Sequence, residues 1–252
     1  MKAIAKWIFR TVGMAMALVS IGCVSEPGRS KPAAAGSEHK TARPGIEEIL
    51  QQAATVPAQP FEGDGWRLLF DGKTLAGWRE TPFSGRGDIE CRSNLLVLNM
   101  GDPFTGVNYT NEVPKMNYEV ALDAMRASGS DFFCGLTVPV GESWCSLIVG
   151  GWGGSLLGIS SIDTLDASEN ETTKFINFED GRWYRIRLRI TETRIQAWLD
   201  EAKIVDVETA GRRVSLRPGE IEMSKPFGIA SWQTAALLRE IRIRPVQVRG
   251  GK

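Results

Sequence analysis

From Gly65 to the C-terminus the sequence is a succession of short strand-like segments, and this restricts the fold more than any other feature. "WRLLF", "NLLVLNM", "MNYEVALDAM", "DFFCGLTV", "SWCSLIVG", "RWYRIRLRI", "RIQAWLD", "KIVDVE", "FGIASW" and "LLREIRIRPV" follow at regular spacing, with Gly, Pro and Asn between them. Two segments alternate with period two. In "RWYRIRLRI", Tyr184, Ile186, Leu188 and Ile190 share one face, and Trp183, Arg185, Arg187 and Arg189 share the other. In "RIQAWLD", Ile195, Ala197 and Leu199 point inward. Roughly a dozen short strands without a long amphipathic helix predict an all-β domain, one sandwich of two antiparallel sheets. The charged face of "RIRLR" reads as a solvated strand face.

The N-terminus has a different character. "MKAIAKWIFR" carries Lys2, Lys6 and Arg10 and no acid, and "TVGMAMALVSIG" follows as a short apolar run. This is the order of a secretory signal, and the run is too short for an ordinary membrane span. It ends in "SIGC", which resembles the bacterial lipobox, although Ser20 stands where leucine is commoner. The expectation is a signal over 1–23 with lipidation at Cys23; ordinary cleavage and a retained helix are the alternatives. Val24 favours the outer membrane over the inner. The chain is then exported, as an outer-membrane lipoprotein or a periplasmic protein, and touches the membrane only through its anchor. Residues 24–60 are broken by Pro27, Pro32, Pro44, Pro57 and Pro60 and read as a flexible tether, in which "GIEEILQQAA" could form a short helix. The sandwich is expected over 61–247, with a tail at 248–252.

The remaining composition is mostly exclusive. Thirty basic and thirty acidic side chains leave no net charge, so nucleic acid is not an expected partner. The single histidine, His39, falls in the tether. The domain therefore lacks Ser-His-Asp and Cys-His chemistry and most zinc chemistry. Cys91, Cys134 and Cys145 remain after Cys23, and no C-x-x-C pair occurs. Cys134 and Cys145 lie on either side of a hairpin turn and are expected as buried reduced thiols, a disulfide being the alternative. "GGWGGSLLG" lacks the lysine of a phosphate-binding loop.

"WRLLFDGKTLAGWRE", "GRWYRIRLRITETRIQAWLDEAKIVDVE" and "FGIASWQTAALLREIRIRPV" resemble the opening motif, the central strand pair and the closing strands of the 3-keto-disaccharide hydrolase family. The resemblance spans nearly all of residues 64–246. It implies a concanavalin-like jelly-roll sandwich, sugar substrates, and cleavage of a glycosidic bond next to a ketone. Three departures mark a divergent branch. "GSDFFCGL" stands where the family usually shows a "G-N-S-G-I" strand, "SWCSLIVGGW" lacks the usual Glu and Asp of the next strand, and "SWQTA" lacks the usual histidine. The implied function is an envelope-anchored hydrolase or lyase acting on 3-keto sugars. The alternatives are a non-catalytic carbohydrate-binding module, and a structural envelope protein in which Trp152 and Trp232 would be buried.

A 3-keto group acidifies the C2 proton, so the chemistry needs a base near C2 and a group that polarises the ketone. The acid candidates are Asp163, Asp166, Glu169 and Glu171, with Glu169 and Glu171 on one face if "ENETTKF" is extended. The other reading of this stretch is a solvated acidic loop. No cofactor or metal is expected; a paired-acid site for Ca²⁺ is a weak signal without EF-hand spacing. Trp144, Trp152 and Trp232 are candidates for stacking on sugar rings, and Arg126 and Gln233 for binding hydroxyls. Trp66, Trp78 and Trp198 are expected to pack in the sandwich or at its edges.

Overall fold

The computed structural model describes residues 45–247. These form fifteen strands in two antiparallel sheets. The first sheet runs β13 (Ala202–Glu208), β12 (Arg194–Leu199), β11 (Tyr184–Ile190), β6 (Tyr118–Gly129), β15 (Thr234–Pro245), β4 (Leu95–Leu98) and β3 (Ile89–Arg92). The short β1 (Arg67–Leu68) also pairs with β15. The second sheet runs β10 (Lys174–Phe175), β9 (Leu156–Ser160), β8 (Ser143–Gly150), β7 (Cys134–Val140), β14 (Gly228–Trp232), β5 (Phe104–Tyr109) and β2 (Trp78–Glu80). This is the two-sheet sandwich that the strand pattern predicts and the jelly roll that the family resemblance implies.

The core lies between the sheets, and alternation selects it. Tyr184, Ile186, Leu188 and Ile190 of β11 meet Leu136 and Val138 of β7 and Leu147 and Val149 of β8 in one buried cluster. Ile195, Ala197 and Leu199 join from β12. Cys134 and Cys145 point into this core as free thiols, and burial pushes both up to about 12. In the register of β7 and β8, Cys134 opposes Val149 and Cys145 opposes Val138, so the sulfurs do not face each other. Trp78 is buried, with its indole N–H donating to the Leu69 carbonyl at 2.7 Å.

The outer face of the first sheet differs from expectation in two places. Residues 45–60 are not all tether. Ile46–Thr55 forms a helix, α1, whose Ile49, Leu50 and Ala53 cover Leu95, Val97, Met125 and Leu237. Apolar residues at three- and four-residue spacing give the helix one sticky side, and the outward apolar row of the sheet gives it a place to bury it. The "RIRLR" face is not simply solvated either. Glu119 and Asp123 of β6 point outward yet are buried, because five arginines lie over them. Arg187, Arg189 and Arg244 reach Glu119 at 3.2, 3.0 and 2.9 Å. Arg185 and Arg239 reach Asp123 at 3.1 and 3.3 Å. Trp198 lies under Arg187 and Arg189, Trp66 under Arg244, Trp183 under Arg239 and Phe61 under Arg185. Aromatic faces thus close over charges that would otherwise meet water.

Candidate functional site

The outward face of the second sheet carries its own cluster of small, aromatic and aliphatic residues, separate from the core between the sheets. In β8 the core takes Cys145, Leu147 and Val149, which leaves Ser146 and Ile148 facing out. Ser160 of β9 and Ala230 of β14 have the same orientation. Phe83, Phe104, Phe132 and Trp232 pack together on this face. Phe83 and Phe104 stack at 4.7 Å, and Trp232 meets Phe104 edge-on at 4.5 Å. Above this floor is a cavity of about 600 Å³. Trp152 and Trp232 both line it, together with Asp102, Asp131, Glu220 and Arg217.

The Trp152 wall depends on the glycines around it. Gly150, Trp152 and Gly153 have φ of +83°, +50° and +81°, a tight left-handed turn; the two glycines adopt it without strain, and Trp152 is held in the same region between them. The turn has an external anchor. Asp131 Oδ2 accepts the Gly153 N–H at 2.9 Å, while Oδ1 accepts the Phe132 N–H at 2.8 Å. The indole is 41% exposed, and its ring centre lies 5.7 Å from the Arg217 guanidinium.

The acidic stretch is folded, not extended. Asn170 is buried at its centre, donating to the carbonyls of Ile159, Leu165 and Asp166 and accepting from the N–H and hydroxyl of Thr172. This closes a compact turn, so Glu169 and Glu171 do not form a pair on one strand face. Glu171 accepts from Arg212 at 2.7 Å, and this hydrogen bond holds its carboxyl below the ordinary range. Asp163 accepts the Arg213 N–H and the Arg212 side chain, which lower it likewise. Glu169 is exposed, with a single weak contact from the Asp166 N–H at 3.4 Å. None of these three lines the cavity. The paired-acid geometry behind the Ca²⁺ reading is therefore not formed by Glu169 and Glu171.

Asp166 is different. Its Oδ1 accepts the Ser160 hydroxyl at 2.5 Å and the Ala167 N–H at 2.7 Å, and its Oδ2 accepts from Arg217 at 2.7 Å. Ser160 and Arg217 both face the cavity, so Asp166 stands directly behind its wall.

The other candidates divide. Arg126 is buried and fully engaged, with Asp180 at 2.5 Å and the carbonyls of Phe178 and Gly154 at 2.6 and 3.1 Å. It braces the glycine turn from behind and has no place in the cavity. Gln233 is exposed beside Trp232 but does not line the cavity. Trp144 lies on the same sheet face farther along β8, with the Lys225 ammonium 5.5 Å from its ring.

Four charged lining residues escape sequence reading: Asp102, Asp131, Arg217 and Glu220. Glu220 opens a short 3₁₀ turn, Glu220–Ser224, and its Oε2 is shielded from solvent without a hydrogen-bond partner. The "RPGE" turn signal marks a loop but not where that loop lands.

Among solved structures, one from Bacillus subtilis with a galectin-like fold matches at a TM-score of 0.51 and 11% identity, covering 71% of this chain and 94% of that one. A candidate glycosyl hydrolase of Parabacteroides distasonis matches at 0.48 and 14% identity, covering 73% and 95%. The carbohydrate-binding module CBM66 of Bacillus subtilis matches at 0.44 and 11%, covering 67% and 95%. At such identities the likeness concerns the fold. No curated protein matches the sequence. The model of the 3-keto-alpha-glucoside-1,2-lyase-like domain matches residues 65–244, and by that match the chain belongs to this family.

Proposed function

We propose that the protein cleaves glycosidic bonds in 3-keto sugars, with the cavity on the second sheet as its active site. One observation carries the reading: a cavity walled by two tryptophans is lined by Glu220, a carboxylate of which one oxygen, Oε2, has no hydrogen-bond partner. Sugar rings present flat C–H faces to aromatic side chains and hydroxyls to polar ones, and this lining offers both. An ordinary glycosidase needs two carboxylates at a set separation. Elimination next to a ketone needs only one base. Glu220 removes the C2 proton, the electron pair passes into the C2–C3–O system as an enolate, and the C1–O bond then breaks. The leaving oxygen takes up a proton, and water adds at C1 if the product is hydrolysed. Arg217 supplies donors for the developing enolate oxygen.

A binding-only reading has one observation in its favour. Asp163, Asp166 and Glu171 are all ion-paired to arginine, so the acidic stretch offers little free base. One experiment separates the two. The full chain is incubated with a 3-keto-disaccharide and released sugar is measured. Cleavage that falls at least about 100-fold in Glu220→Gln is the expected result for a general base. Binding without release establishes the binding module, and release unaffected by the substitution removes Glu220 from the mechanism. The proposal includes export and lipidation at Cys23, a residue outside the described region. No helix among the described residues is long and apolar enough to cross a membrane.

A further inference from the structure

We infer that Asp166 makes the cavity a reader of ketone against hydroxyl, acting through Ser160 and Arg217; this rests on the sugar-cleaving reading above. A hydroxyl has one proton. Ser160 gives its proton to Asp166 at 2.5 Å, so toward the cavity its oxygen can only accept. A guanidinium has five N–H donors and no acceptor. Arg217 gives one of these to the other oxygen of the same carboxylate at 2.7 Å and has no second side-chain partner among the described residues; its side chain is 59% exposed. One carboxylate thus sets a donor and an acceptor side by side on the wall, with opposite polarity.

A ketone next to a hydroxyl fits this pair. The keto oxygen accepts from Arg217, and the neighbouring hydroxyl donates to Ser160. An ordinary sugar has a second hydroxyl in place of the ketone. That group can accept from Arg217, but its own proton then points at a donor and finds no acceptor there. Sites built around hydrogen bonds reject the wrong partner by leaving polar groups unpaired. Ala167 N–H, the third donor on Asp166, keeps the carboxylate from turning. Asp166 is a positioning residue here, because it reaches the substrate only through its two partners.

The test is a binding measurement, so it does not depend on turnover. Calorimetry on the full chain carrying Glu220→Gln compares methyl glucoside with its 3-keto derivative. The expected result is tighter binding of the keto sugar. Adding Arg217→Met should cut the keto preference at least about tenfold and move affinity for the ordinary glucoside less than about threefold, as for an exposed charge. Arg217→Lys keeps donors and charge and should retain part of the preference. Asp166→Asn keeps its amide oxygen toward Ser160 and the Ala167 N–H and turns its NH2 toward Arg217, which loses its acceptor; the preference should shrink because the keto sugar loses a fixed donor. A merely structural role would weaken both sugars together. Equal affinity of the starting protein for both sugars overturns the inference, as does a preference that survives Arg217→Met. An Arg217-dependent preference without cleavage by the wild-type chain upholds the inference and overturns the sugar-cleaving reading.

Discussion

Trp152 and Trp232 show how little the identity of a residue decides and how much its neighbours do. Both were candidates for sugar stacking, and both line the cavity. Trp232 is half-buried, with its edge against Phe104 and a tilted contact to Phe132. Trp152 has glycines on either side, is 41% exposed, and has the Arg217 guanidinium near its ring. The same truncation should therefore read differently at the two sites. Trp152→Ala removes a platform and little packing. Its affinity for sugar should fall roughly tenfold, the value of one good aromatic contact of about 1.5 kcal/mol, with the melting temperature nearly unchanged. Trp232→Ala removes both, and should lower affinity and also destabilise by about 2 kcal/mol, below the range for a fully buried tryptophan. Sugar titrations and thermal melts on the two variants check this; an equal loss of stability in both would contradict it. The glycines around Trp152 made it legible as a site candidate. Glu220 was not legible, because nothing in "RPGEIEMS" says that the loop lands on the sheet face beside Ile148.

At the scale of elements, the 161–171 stretch and the 212–217 stretch behave as one clipped pair. Their backbones exchange bonds between Ser161 and Ser215, and Asp163 N–H donates to the Arg213 carbonyl at 2.7 Å. Arg212 then joins Asp163 to Glu171 across the pair. Both carboxyls are held below their ordinary values, Asp163 chiefly by the Arg213 N–H and Glu171 chiefly by Arg212. A depressed folded-state value means that the clip contributes fully above the unfolded range, near pH 4. The contribution fades as pH falls through the depressed values. Amide exchange across 161–171, corrected for its intrinsic pH dependence, should therefore quicken between about pH 4 and pH 2. At pH 7 Arg212→Ala should reproduce the effect, whereas an Arg212→Ala chain with unchanged exchange would show that the backbone bonds suffice. Arg217 lies at the end of this element, so the clip also keeps the ketone-reading pair in place. The acids of this stretch drew attention as a cluster. Their arginines are about 40 to 50 residues downstream, too far for spacing to reveal.

For the whole molecule, the sandwich separates two tasks. The period-two faces of β11 and β12 were legible because one side of each strand must be buried, and alternation records that. The outward sides were not legible, because an outward residue can meet water, a helix or another charged layer. On the first sheet α1 and the arginine layer cover it, so "RIRLR" and Glu119 serve stability. On the second sheet the outward side is left open as the cavity. Loops from distant parts of the chain meet there, because the sheet order places β9, β8, β7, β14 and β5 next to one another.

This division predicts that stability and sugar affinity can be altered independently. Leu50→Ala withdraws a buried side chain of α1 from the outer face of the first sheet. It should cost about 2 kcal/mol, the low end for such truncations, because the satellite core lies near solvent. Glu119→Gln strands three arginines over a half-neutralised site and should cost about 3–5 kcal/mol. Neither residue touches the cavity, so at temperatures where the chain stays folded sugar affinity should be unchanged in both. Combining Leu50→Ala with Trp152→Ala closes the cycle. The two sites lie on opposite outer faces with the sandwich core between them and share no partner, so their effects should add within about 0.5 kcal/mol in both stability and affinity. A larger coupling would mean that the sheets transmit strain through the core, and α1 would then take part in the function of the cavity instead of serving only as a cover.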